Sequence, residues 1–149
     1  MRSHILSILG FIVASFATQA TSHLVIFREH YAAIAHLRAK PIFALGFTIM
    51  IIQGSVLSYV FANSRFAGRS RMDAVRFAWL FGAFLVSYIA LGEAAKYNVP
   101  SIPAWSAVEA GVGFVQFTLV GLFIGLAHGA GESVARHSMR VDGKPPGED

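Results

Sequence analysis

Hydrophobic residues fall into four long, nearly unbroken stretches separated by short polar segments. They cover about 5–27, 42–62, 74–97 and 104–127, each close to the ~20 residues that a helix needs to cross hydrocarbon. The pattern therefore predicts an all-α, polytopic integral membrane protein, with a four-transmembrane-helix bundle over 1–129 and a polar, disordered tail over 130–149. Met1-Arg2-Ser3-His4 followed by the apolar run from Ile5 to Ala17 also resembles a secretory signal, with Ser15-Phe16-Ala17 as a passable cleavage site. Because the apolar run continues beyond that site, it is read as a retained first span.

The connections carry their own signals. Arg28 to Lys40 has no glycine or proline and favours helix, either as an extension of the first span or as a short surface helix. Pro41 fits the first turn of the second helix. Asp73 is a candidate N-cap for the third helix, and Ser101 with Pro103 for the fourth. Spans two and four each follow a proline (Pro41, Pro103) and carry a mid-depth glutamine (Gln53, Gln116), which hints at a two-fold repeat.

Composition narrows the class. Of 149 residues, 55% are hydrophobic and 13% charged, where a soluble domain carries about a quarter charged residues. Mean hydropathy is +0.58. The absence of cysteine excludes disulfides, thiolate metal sites and dithiol redox chemistry. The net charge of +4 comes from basic residues flanking the spans, where they meet headgroups rather than nucleic acid. Arg2, Arg65, Arg69, Arg71, Arg76, Arg136, Arg140 and Lys144 fall on one side. Arg28, Arg38, Lys40 and Lys96 fall on the other. The larger set marks the cytoplasmic side, so both termini are expected there, in a bacterial inner membrane.

Small residues recur every fourth position in all four spans, as helix packing in lipid requires. The rows are Gly10, Ala14, Thr18, Ser22; Gly54, Ser58, Ala62; Ala74, Ala78, Gly82; and Gly121, Gly125, Gly129. The last contains two overlapping GxxxG steps and serves either internal packing or a homo-oligomer contact.

Chemistry centres on Glu109, about two turns beyond Pro103. Gln116 shares nearly its face, with Gly113 between, and that face should turn inward, because lipid exposure of a polar face costs several kcal/mol. Desolvation disfavours the charged form of a carboxyl, the behaviour a proton carrier needs. A neutral carboxyl bonded to a neighbouring helix is the plainer account. Glu93 is expected in a surface pair with Lys96 and Tyr97. Gln19 and His23 lie one turn apart near the outer end of the first span, so His23, Glu93 and Glu109 are expected to approach one another. Those three are the candidates for a divalent cation, but no HxxxH or HxxE spacing supports one; neither metal nor cofactor is expected. His4 and His128 share the inner edge, where a facing pair could ligate haem. His30, His36 and His137 are read as interfacial. Trp105 and Tyr97 suit an outer aromatic belt, as Tyr59 and Trp79 suit an inner one.

No nucleophile, phosphate or dinucleotide motif is present. The leading expectation is a non-enzymatic accessory or self-associating membrane subunit whose partners are the lipid bilayer, further copies or other membrane subunits. The alternative is a proton- or cation-linked small permease or channel using Glu109, with Glu93, His23, Gln116, Gln53 and Gln19 around it. A membrane-surface enzyme acting on lipid or quinone is a third.

Overall fold

A computed structural model describes residues 1–34, 38 and 40–129. The expected tail, 130–149, and His36 lie outside the described residues, as does His137. Among the described residues the chain is helical, without strands. Helix α1 (Arg2–Thr21) continues as a π-helical turn, Ser22–Ile26, and is followed by the short α2 (Arg28–Ala32). Then come α3 (Phe43–Ala62), α4 (Arg71–Ser87) with a π-helical extension Tyr88–Glu93, and α5 (Ile102–Ala127). Four helices, Arg2–Ile26, Phe43–Ala62, Arg71–Glu93 and Ile102–Ala127, are long and apolar enough to cross a membrane.

Local signals account for the starts of α4 and α5 and the end of α5, with corrections. Ser101 caps α5 by accepting from the Ala104 amide, and proline occupies the first turn. Helix α4 is capped by Ser70 rather than Asp73: the Ser70 hydroxyl accepts from the Asp73 amide at 3.1 Å and donates to the Asp73 carboxylate at 2.8 Å. Asp73 thus stands three residues inside the helix, the acidic member of a reciprocal cap. Pro41 is not in the first turn of α3, which begins at Phe43 with Ile42 as its cap. Gly129 does not pack against a neighbour. It follows the end of α5 at φ +66°, and a side chain there would meet nothing within 4 Å, so its role is the left-handed turn that closes the helix.

The helices form an open ring in the order α3, α1, α5, α4. Helix α5 packs most extensively on α4 and α1, α3 rests mainly on α1, and α3 barely touches α4. The half of the bundle nearest His128 is close-packed around Phe11, Leu57, Phe61, Phe77, Val120 and Ile124. Here Phe61 of α3 meets Phe77 of α4 with ring centres 5.2 Å apart. Gly121 lets α5 approach α4 so closely that an added Cβ would sit 2.5 Å from the Val75 Cα. Gly54 faces α1, where the same atom would meet Phe11 at 3.2 Å. The turn 63–70 holds α3 and α4 together at this end, and they part toward the other.

Candidate functional site

Where α3 and α4 part, the bundle encloses a cavity of about 450 Å³. Its polar lining is Ser15 and Gln19 of α1, Gln53 of α3, Glu93 at the end of α4, and Glu109 and Gln116 of α5. Five of the six residues singled out from the sequence therefore share one space. Ser15, Glu109 and Gln116 are buried at its back wall, whereas Ile49 and Tyr88, also lining it, are 53% and 58% exposed. The mouth consequently lies between α3 and α4.

Glu109 is 6% exposed. Its Oε1 accepts from the Tyr31 hydroxyl at 2.7 Å, and the Tyr31 oxygen lies 3.4 Å from the Ser22 hydroxyl. Tyr31 reaches this position because α2 folds back over the bundle end, joining Ile34, Ala94 and Trp105 in a small apolar cluster. Burial pushes the Tyr31 phenol well above its ordinary value, and the carboxyl beside it adds to the rise. The phenol therefore stays neutral and donates. Beside this pair runs a second chain: Gln19 donates to Gln116 at 2.8 Å, and Gln116 donates to Ser15 at 2.9 Å. Seven residues, two helical turns, put Glu109 and Gln116 on the same face of α5.

His23 does not join the carboxylates directly. Its ring stacks on Tyr31 with centres 3.7 Å apart, and its Nδ1 lies 3.0 Å from the Gln19 carbonyl oxygen, so Tyr31 stands between it and Glu109. Among the described residues no three histidine or acidic groups are placed to hold a metal ion. The Lys96 ammonium feels the charge of Glu93, and it donates to the Tyr88 hydroxyl at 3.0 Å, 4.9 Å from that ring centre. This bond is the main reason its affinity for a proton rises.

Trp105 is not part of an exposed aromatic belt. It is buried and donates to the Ile89 carbonyl at 3.2 Å, while Ser106 donates to the Ala90 carbonyl at 3.0 Å. Both carbonyls belong to the π-helical extension of α4, where the widened turn disturbs the usual backbone pairing and interhelical donors take its place. The extension carries Glu93 at its end. Trp79 turns its indole N–H to Thr118 at 2.9 Å.

The opposite end holds a separate polar group. His4 Nδ1 lies 2.9 Å from the Ser58 hydroxyl, and the His4 and His128 rings meet edge to face at 5.5 Å. That contact leaves no room for a porphyrin between them. Tyr31 is the site residue that sequence reasoning misses: a lone tyrosine in a connection gives no periodic signal.

The chain matches no protein-family model, no curated protein and no solved structure.

Proposed function

We propose that this chain is a multi-pass membrane protein that takes up a small ligand in the cavity between α3 and α4, with uptake linked to protonation of Glu109, as in a proton- or cation-linked permease. The observation that carries this reading is Glu109 itself: a buried carboxyl held by Tyr31 on one side and opening to a cavity on the other. Intramembrane carboxyls are costly and belong by default to ion or substrate pathways. Large apolar side chains on the outer faces, such as Phe84, 75% exposed, and Val25, 72% exposed, suit a lipid surround. The close-packed half around Phe61 and Ile124 closes the cavity at that end, as alternating access requires of one state. In proteoliposomes, proton or monovalent-cation flux should be measurable with the native chain and disappear in Glu109→Gln. Unchanged flux in that variant removes the reading.

A second reading keeps the chain as an accessory or self-associating subunit. It is favoured by α3, of whose most apolar window only 17% is buried, against 44% for α5. A side so uncovered suits a neighbouring helix. A defined partner, or a defined number of copies, retained through mild detergent extraction is its test.

A further inference from the structure

We propose that the ligand of this cavity is an amphiphilic organic monocation, a protonated or quaternary amine with an apolar body, which passes sideways between α3 and α4 and is held by the Glu109 carboxylate. The inference rests on the pocket reading above and names its ligand class.

Size comes first. A volume of about 450 Å³ falls in the range of small-molecule clefts, whereas one water's share of liquid volume is about 30 Å³. A bare ion would leave most of the space unfilled. The walls decide what fills it: Met50, Leu85, Val86, Ile89 and Phe117 present aliphatic and aromatic surface around the polar groups. They favour burial of an apolar body.

Charge then fixes the sign. The acidic groups on the lining are Glu93 and Glu109, and no lysine, arginine or histidine stands among the lining residues. An anion would face two carboxylates. Most of the amides and hydroxyls are already committed to each other, Gln19 to Gln116 and Gln116 to Ser15. Glu109 Oε2, since Tyr31 donates to Oε1, and the Gln53 side-chain amide take no part in these bonds. A neutral donor could hydrogen-bond to that carboxylate oxygen, as the Tyr31 phenol does to Oε1, but only a cation also balances a buried negative charge. Lys96, held on Tyr88 outside the mouth, lies within electrostatic reach of Glu93. The charge without a nearby cation is therefore that of Glu109, and one positive charge suffices.

Position supplies the route. The exposed lining residues Ile49 and Tyr88 place the mouth between two helices of membrane-spanning length, so an amphiphile dissolved in lipid meets it directly. Around Glu109, the titratable groups are Tyr31 from α2 with His30 packed against it, His23 behind it on the π-turn of the first span, and Glu93 with Tyr88 from the extension of α4; α3 contributes the uncharged Gln53. A cation and a proton therefore compete for the same oxygen, and linkage makes the competition reciprocal.

The test uses the full chain in nanodiscs, titrated calorimetrically with tetraphenylphosphonium and with tetraphenylborate, ions of the same shape and opposite charge, after subtraction of empty nanodiscs. The phosphonium should bind saturably at one per chain and the borate should not. Affinity should rise about tenfold per pH unit wherever Glu109 holds a proton, with one proton released per cation bound. Glu109→Gln should weaken binding at least tenfold. Ile49→Trp, an exposed substitution that narrows the mouth and alters no charge, should also weaken it. Equal affinity for both ions, or undiminished binding in Glu109→Gln, overturns the inference, and unchanged binding in Ile49→Trp overturns the route between α3 and α4. Glu109-dependent proton flux without organic-cation binding defeats the ligand class and leaves the permease reading standing. Cation binding without flux does the reverse.

Discussion

At the His128 end of the bundle, phenylalanine rings from α1, α3 and α4 interlock around Val120 and Ile124, and Gly121 brings α5 against the α4 backbone. At the Trp105 end the same four helices enclose a cavity, two of them finish in π-turns, and side-chain hydrogen bonds join Gln19, Gln116 and Ser15 across it. The contrast shows where close packing and chemistry can coexist in a small bundle. Helices α3 and α4 are joined by the short turn 63–70 and part only beyond it, so one half fixes the geometry and the other is free to hold polar groups.

The comparison can be broken most directly by truncating one large side chain in each half. Phe61→Ala, at a fully buried site, should cost about 3–5 kcal/mol through lost contacts and a new void. Met50→Ala, beside space that is already open, should cost well under half of that. Equal losses in thermal unfolding in detergent would mean that the two halves are not differently packed.

Next in size is Gly121→Leu, which must displace the α4 backbone and should destabilise by about 1–3 kcal/mol. Gly111→Leu on the same helix, where a side chain meets nothing within 4 Å, should stay within about 0.5 kcal/mol. The pair separates a close-approach effect from a general intolerance of α5 to bulk.

Gln116→Leu removes a residue bonded to both Gln19 and Ser15. Bonds between helices in lipid average only about 0.6 kcal/mol each, so the expected loss is about 1 kcal/mol in the same melts. A loss as large as that of Phe61→Ala would make the polar half as structural as the aromatic one.

The smallest effect is a dependence on pH at the packed end. Burial holds the His128 imidazole below its ordinary value, with His4 and the N-terminus adding to the shift. An imidazole that resists protonation in the folded state contributes stability that is full above its unfolded value of about 6.5 and declines as pH falls below it. The melting temperature should therefore drop modestly from pH 7 to pH 5, and His128→Gln should flatten the slope.

Much of this architecture is legible in the amino-acid pattern. Four apolar runs become four helices of spanning length. Glu109, Gln116, Gln53, Gln19 and Glu93 stand out because polar groups inside such runs are rare, and they line one cavity. Pairing between helices is what the pattern hides. Nothing local says that Gln19 meets Gln116, 97 positions away, or that Tyr31 folds back onto Glu109. An aspartate beside an apolar run is an ordinary cap, so Asp73 draws attention away from Ser70, although Ser70-x-x-Asp73 carries the reciprocal pattern. A tryptophan at a span end is commonly interfacial, which points Trp105 to the surface; its indole instead serves a carbonyl of the π-helical turn.

The phenol of Tyr31 owns a single hydrogen, and Glu109 has it. Ser22 must then be the giver in its contact with Tyr31, which orients all three hydroxyl and carboxyl groups the same way. Were the acid to turn its own hydrogen outward onto the phenol, the whole row would have to reverse, and the first span would sense at Ser22 what happened on α5 beside it.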